Sequence, residues 1–564
     1  MKVNYKKTVV SFFAALAILL TSSIALFGGL HTAAAGSPYT MITAFAGADE
    51  TQMNFNWYSY KRETEQTQTL QIGEMAEDDV DFPYDYEEIF VTGTASQKVN
   101  YYVFKATVTG LKPNTEYFYR VGEEGNWSEV CSFTTLTNGN EFSFMALGDA
   151  QLGTNGDNAE DGALWSNTLN TVMQQYSPAF LLHMGDEVES FESSAASLSI
   201  SEEQYEYFFG ADVLRTVPYV GVIGNHEFSK NNWSEHHNAP NLSSIAVSDT
   251  AGEQSADYWL VVGNMLLCVL NSNVRDSSQH EKFLEQAIAA ADSAYGDRIQ
   301  WRVVAMHHSI YGVSELYDDE DVVIRRPELS EIFKNCSIDM VLMAHEHVYA
   351  RSYMMNGTQP IVPEEGSEHF SIMPDGEILY VTLSSSTGNK CWDIVAGDEE
   401  YVAAGIQTYA AQVSEVTVRE NMLKIATYDL EGNLLDDFTI YKEDPEQVVP
   451  TITCTAPNEI TAGDSFSVME GIKATDAIEG DLTASVAVTG TVDAQTAGRY
   501  ELVYTVRNTY GKTGTFTRVV TVKESKGSGC SSRLTAKTLL WALPVIAAAV
   551  ALAARKKSGF KSVK

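Results

Sequence analysis

The chain has 564 residues, of which 37 are basic and 75 acidic, giving a formal charge of −38. At roughly 150 residues per domain, this length predicts about three or four domains. An acid excess spread along the whole chain repels a phosphate backbone, which argues against nucleic acid as a partner. The six cysteines form no CxxC and no close pair, so neither a thiolate zinc site nor a disulfide framework is indicated.

In chain order, residues 1–36 place Lys2, Lys6 and Lys7 before a long apolar stretch and small residues at Ala33 to Ala35, the pattern of an export signal. Residues 40–137 hold short alternating segments, among them QMNFNWYSY, KVNYYVFKATV, EYFYRV and EVCSFTT, separated by the turn signals LKPNTE and GEEGNW. Period-two alternation at this spacing predicts a β-sandwich. From 139 to 443 the pattern changes to apolar strands that end in polar residues: FSFMALGDA, FLLHMGD, YVGVIGNHE, NMLLCVLNSN, RVVAMHH, MVLMAHEH and EILYVTLSSS. Between them, HEKFLEQAIAAADSAY and RRPELSEIFKNC read as amphipathic helices, so an α/β layered domain with its site at the strand ends is expected.

Residues 449–524 alternate again and predict a second β-sandwich. Residues 525–537 read as a linker. Residues 538–554, TLLWALPVIAAAVALAA, precede Arg555, Lys556 and Lys557, the order of a membrane-spanning helix with a basic cytoplasmic tail at 555–564. An exported, extracellular protein anchored to the cell membrane is therefore expected.

Five segments of the central domain put metal-binding side chains just after an apolar run: GDAQ (148–151), GDEVE (185–189), GNHE (224–227), AMHH (305–308) and AHEH (344–347). Two divalent ions held close together need a bridging carboxylate, neutral imidazoles, amide oxygens and open positions for substrate. The five segments supply that set.

The order GD, GD, GNHE, H, HxH resembles that of the calcineurin-like metallophosphoesterases, which include the purple acid phosphatases. The phrase TVTGLKPNTEYFYRVGEEGNWSEVCSFTT resembles the end of the fibronectin type III-like domain that precedes the catalytic domain in purple acid phosphatases, and residues 449–524 resemble a bacterial immunoglobulin-like module. The resemblance implies a sandwich of mixed β-sheets flanked by helices, with a β-sandwich on either side in sequence. It implies Asp149 as a ligand of the first metal, Asp186 as the bridge, Asn225, His307 and His345 on the second metal, and His347 returning to the first. His307 and His308 compete for one position; His307 directly follows the apolar run, which leaves His308 toward substrate or solvent. His226 corresponds to the histidine that contacts the phosphoryl group, and Glu227 supports the site. The implied reaction is hydrolysis of small phosphomonoesters, acid phosphatase-like, by in-line attack of a metal-bound hydroxide.

The pattern departs from the purple enzymes in two places. Their second segment is GDxxY, whose tyrosinate binds a ferric ion, and this chain has Glu189 there, either an unusual ligand or a neighbour. Many other metallophosphoesterases have a histidine ligand where this chain has Gln151, either a ligand through its amide oxygen or a partner of water or phosphate. Both changes favour two divalent ions (zinc, manganese or ferrous iron) over a ferric centre. The alternatives are a phosphodiesterase or nucleotide pyrophosphatase of the same superfamily, and a catalytically inactive surface adhesin. YDDEDVV (317–323) reads as a solvated loop, Arg351 as part of a structural ion pair, and Asp476, Glu479 and Asp481 as a solvated turn.

Overall fold

The computed structural model describes residues 39–525 apart from 61–65, 97, 99, 191–194, 228–231, 246–256, 365 and 373, with side chains of 195–198 and 232 also left out. The export signal, the membrane helix, its basic tail and most of the linker lie outside the described residues. Among the described residues no helix is long and apolar enough to cross a membrane. Contacts divide the chain into two units: one takes the chain to Pro450 with Thr475–Leu482 and Arg507–Thr513, the other Thr451–Ala474, Thr483–Val506 and the chain from Gly514.

The seven predicted strands of the central domain all form, and they divide between two sheets. Phe142–Leu147, Leu181–His183 and Tyr219–Gly221 are neighbours in an eleven-stranded sheet, and Met265–Leu270, Trp301–His308, Met340–Ala344 and Leu379–Thr382 are neighbours in a seven-stranded one. Every strand residue of Met265–Leu270 is buried because both faces of its sheet are covered. Met265, Leu267 and Val269 join Phe144, Leu182, Val220, Val303 and Leu342 in the core between the sheets. Leu266, Cys268 and Leu270 point the other way, onto Phe283, Leu284, Leu329 and Phe333 of the helices Ser277–Tyr295 and Glu320–Asn335. On the outer face of the larger sheet, Trp165 and Leu169 of helix Asn158–Gln175 pack with Met145, Leu147 and Leu181. The result is four layers, helix, sheet, sheet, helix, as the alternation of strand and helix patterns required.

Two features differ from the sequence expectation. The charged run 317–323 is only partly a loop, since helix Glu320–Asn335 starts within it and carries Glu320 and Asp321 in its first turn, where carboxylates meet the positive end of the helix. The N-terminal sandwich is not closed off from the central domain. Its strands Tyr39–Ala46, Gln52–Tyr60 and Tyr101–Thr109 continue the eleven-stranded sheet, with Phe45 pairing in parallel with Tyr219. The facing sheet carries Thr67–Gly73, Glu87–Thr92 and Glu116–Glu123, and Phe55, Trp57, Phe104, Leu70 and Tyr119 fill the space between.

These N-terminal strands also hold a segment of the central domain. The Lys105 ammonium donates to the carbonyls of Ser234 and His237, Asn56 donates to His236 O at 2.6 Å, and Asn238 donates to Phe55 O and Ala106 O, both at 3.0 Å. Burial pulls the Lys105 ammonium down to about 8.

The second unit is mainly β, with Glu459–Thr461, Thr513–Lys523, Gly498–Arg507 and Ala487–Thr489 in one four-stranded sheet and a short 3-10 helix at Thr483–Ser485. In the first unit, Asp476 is buried rather than solvated, one carboxylate oxygen accepting from Ile478 N and Glu479 N and the other from Asn508 Nδ2, so its charge is already met by its own turn and by Asn508. Lys105→Met keeps the aliphatic stem but strips two carbonyls of a charged donor; the expected loss is about 2 kcal/mol of stability, read as a lower urea midpoint.

Candidate metal centre

Parallel pairing sets the ends of the ligand-bearing strands side by side. Leu147 pairs with His183 and His183 with Gly221, so GD, GD and GNH follow from adjacent strand ends. In the other sheet His308 pairs with Ala344, and a bridge between Gly148 and Ser385 joins the strand ends of the two sheets. After the strands the backbone turns sharply: Gln151, Asp186, His345 and His347 all adopt left-handed conformations, at φ of 45°, 53°, 73° and 49°. Such residues cluster where surrounding structure holds a site in place. Gly224 is required by close approach, since a Cβ there would lie 2.1 Å from Asp186 Oδ1.

The turns bring together the predicted donors. Asp186, His307 and His345 offer ligand atoms all within 4.8 Å of one another. His307 Nε2 lies 3.0 Å from Asn225 Oδ1, 3.1 Å from His345 Nδ1 and 3.3 Å from Asp186 Oδ2. Asp149 Oδ1 lies 3.8 Å from His347 Nε2 and 4.0 Å from His307 Nε2. Backbone carbonyls fix two of the rings: His307 Nδ1 donates to Met184 O at 2.9 Å and His347 Nδ1 to Lys390 O at 3.2 Å, leaving each Nε2 as a donor atom for a cation. His308 turns away to Ser272, whose Oγ lies 2.8 Å from its Nδ1, so His307 is the one that faces the centre.

Two buried oxygens test whether cations suit this set. Asp149 Oδ1 and Gln151 Oε1 have no hydrogen-bond partner, and both residues are fully buried. A buried acceptor left bare costs about 1–3 kcal/mol, more when charged, and a hard cation satisfies both. The electrostatics agree. Burial holds the His345 and His347 imidazoles down at about 3, so they present neutral nitrogens. Burial also works against protonation of His307, but Asp186 and Asp149 outweigh it and push that ring up to about 9, which shows how strongly the two carboxylates attract positive charge. The donors fit divalent cations.

Carboxylates nearby have other work. Glu227 accepts from Asp186 N at 2.9 Å and Gly224 N at 2.8 Å with one oxygen, and from Glu187 N at 2.8 Å and Val188 N at 3.3 Å with the other. It therefore clamps two ligand turns together. Glu187, fully buried, takes His237 Nε2 at 2.9 Å and the Tyr219 hydroxyl at 2.5 Å. Glu189 turns out of the centre: its carboxylate meets Lys390 Nζ at 3.2 Å and the Thr154 hydroxyl at 3.1 Å. Gln151 turns in, its Nε2 2.9 Å from His226 Nε2. His226 is anchored on its other side, Nδ1 donating to Glu189 O and the backbone N–H donating to Asp186 Oδ1 at 3.0 Å. Arg351 stays outside, paired with buried Asp436 at 2.6 Å.

Residues 142–349 match the family described as calcineurin-like phosphoesterase, residues 38–135 the purple acid phosphatase N-terminal domain, and residues 450–522 the bacterial surface protein Ig-like domain. The central domain is a calcineurin-like metallophosphoesterase. The chain is 23% identical over 389 residues to an acid phosphatase type 7 of Danio rerio, covering 63% of this chain and 81% of that protein. It is also 23% identical over 379 residues to a probable inactive purple acid phosphatase 27 of Arabidopsis thaliana, covering 61% of this chain and 58% of that one. Its fold matches that of a purple acid phosphatase from yellow lupin seeds, with a TM-score of 0.56 at 15% identity over 72% of this chain and 75% of that one. Proteins of this purple acid phosphatase-like family use a dinuclear metal centre.

The sequence reading missed the loop after strand Leu379–Thr382. Ser385 Oγ donates to Asp149 O at 2.9 Å, Thr387 Oγ1 to Ala150 O at 3.0 Å, and the Trp392 ring centroid lies 5.3 Å from that of His347. The signal was present: VTLSSSTGNKCW is one more apolar strand ending in polar residues, but it holds no aspartate, glutamate or histidine to mark it. Glu227→Ala leaves four backbone N–H groups bare, and the expected cost is at least about 3 kcal/mol, measured by chemical denaturation of the metal-free protein.

Proposed function

We propose that this metallophosphoesterase is an exported, membrane-anchored phosphatase that hydrolyses small phosphomonoesters. Its two divalent cations, zinc, manganese or ferrous iron, would be held by Asp149, Gln151, Asp186, Asn225, His307, His345 and His347. The observation that carries the reading is the gathering of Asp186, His307 and His345 within 4.8 Å beside the bare Asp149 and Gln151 oxygens. Cations bound there supply Lewis acidity, drawing charge from phosphoryl oxygens and making water a stronger nucleophile. With the Glu189 carboxylate turned to Lys390, the remaining donors are imidazoles, carboxylates and amide oxygens, a set suited to divalent ions rather than to Fe³⁺.

The chain's own residues do the remaining work. His226 is fixed by its Nδ1–H on the Glu189 carbonyl, so Nε2 is the atom it presents, 3.7 Å from Asp186 Oδ2. In that tautomer Nε2 accepts from the Gln151 amide nitrogen 2.9 Å away; an imidazolium there would instead donate from Nε2 to a phosphoryl or departing alcohol oxygen as charge builds on it. Asp186 Oδ1 accepts the His226 backbone N–H, which ties the orientation of that ring to a carboxylate that would hold the cations.

A second reading, a metal-holding but inactive surface protein, is favoured by the similarity to the probable inactive Arabidopsis relative. Elemental analysis of the purified protein, combined with rates on an aryl phosphomonoester and the matching diester, separates these readings. Two metals per chain, chelator-sensitive monoester hydrolysis and a loss of about a hundredfold or more in Asp186→Ala are expected. Two bound metals with neither ester hydrolysed supports the inactive reading, and faster diester cleavage supports a diesterase. Gln151→Ala is expected to lower metal content, and Glu189→Gln to leave it unchanged.

A further inference from the structure

Among the described residues near the centre, Lys390 combines a tied-down backbone with an accessible cation. Its carbonyl accepts from His347 Nδ1 at 3.2 Å, and the preceding Asn389 donates to Ala150 O at 3.1 Å and to Gln151 O at 3.3 Å. The backbone at Lys390 is therefore tied to two donor-bearing segments. Its ammonium reaches across to Glu189 Oε2 at 3.2 Å, and the Glu189 carbonyl in turn accepts from His226 Nδ1. The side chain thus runs from the His347 side of the centre to the His226 side. Both members of the pair are partly open to solvent, 23% for Lys390 and 34% for Glu189. They stand beside the donor set, with one side open to solvent.

Three physical facts give this placement a use. A lysine ammonium has three donors, so one contact to Glu189 leaves others free. A half-open ion pair is worth at most about 1 kcal/mol, so the ammonium can turn to an incoming anion at little cost. The chain carries a formal charge of −38, so a cation beside the site adds to the pull of bound metals against a repulsive background. A phosphomonoester brings close to two negative charges and three strong acceptor oxygens, and a diester has one charge and one terminal oxygen fewer. The additional charge and oxygen are what a cation beside the donor set can recognise.

We propose that Lys390 contacts the substrate phosphoryl group and makes the site prefer a phosphomonoester to a diester, with Glu189 as the positioning residue that holds the ammonium beside the donor set. This rests on the phosphatase reading above. It also gives a use to the carboxylate at the place of the purple enzymes' tyrosine: Glu189 serves the substrate side through Lys390 instead of the metal side.

The test uses the full chain loaded with metal, with inorganic phosphate as the probe in calorimetric titration, metal stoichiometry as a control, and rates on aryl mono- and diesters. In Lys390→Met, phosphate affinity is expected to fall about tenfold or more, and the monoester-to-diester ratio of kcat/KM to fall by a similar factor, with metal content intact. Lys390→Arg is expected to restore part of both. Glu189→Gln is expected to raise KM for the monoester more than it lowers kcat, because the ammonium is present but held only by a neutral amide oxygen. Unchanged phosphate affinity and an unchanged ester ratio in Lys390→Met overturn the proposal. So does a loss of metal in that variant, which would make Lys390 a scaffold for His347. A wild-type protein that hydrolyses neither ester but binds phosphate through Lys390 overturns the phosphatase reading alone, and one that binds no phosphate overturns both.

Discussion

Two carboxylates, Asp149 and Asp186, are buried at adjacent strand ends, and the central domain is organised around keeping their charge there. Isolated ionised carboxylates in such a place would cost many kcal/mol. The chain answers with directed donors: the backbone N–H of His345 reaches Asp149 Oδ2 at 3.0 Å, that of His226 reaches Asp186 Oδ1 at 3.0 Å, and the His307 ring stands between the two carboxylates, 3.3 Å from Asp186 Oδ2 and 4.0 Å from Asp149 Oδ1. Each donor arrives on a different strand end, so the sheets must pair in one register for the carboxylates to be tolerated at all. Fold and site are thus a single electrostatic problem with a single solution.

A second ring of contacts supports the first. Glu227 ties the turn of Asp186 to Gly224, and Glu187, next in sequence to Asp186, is pinned by His237 and Tyr219. His237 belongs to the segment whose carbonyls are held by Asn56 and Lys105 of the N-terminal strands. The N-terminal domain is therefore part of the mounting of the centre. The eleven-stranded sheet that runs through both makes the same point in backbone hydrogen bonds.

Much of this was legible in the sequence because it is written locally. An apolar run followed at once by Asp, Asn or His marks both a buried strand and the donor at its end, and five such segments in order identified the family before any geometry. The choice between Gln151 and Glu189 was not legible, since it depends on a left-handed turn at Gln151 and on a partner for Glu189 that lies 201 positions away in the chain. The continuity of the N-terminal sandwich with the central sheet was hidden for the same reason: it turns on Phe45 meeting Tyr219, and strand alternation says nothing about which strand lies alongside. The helix start inside YDDEDVV was masked by its charge, although carboxylates are favoured in a first helical turn.

The left-handed backbone at Gln151, Asp186, His345 and His347 restricts these positions twice over. Aspartate and histidine are among the few side chains besides glycine that enter this conformation readily, whereas β-branched residues resist it. Backbone shape and coordination chemistry therefore select from nearly the same short alphabet. A substitution that keeps a donor atom but demands an extended backbone would move the donor out of the centre, and one that keeps the turn but lacks a donor would leave the charge uncovered. Change at these positions is confined to residues that satisfy both demands, which makes the turns after the strands the least negotiable part of the chain.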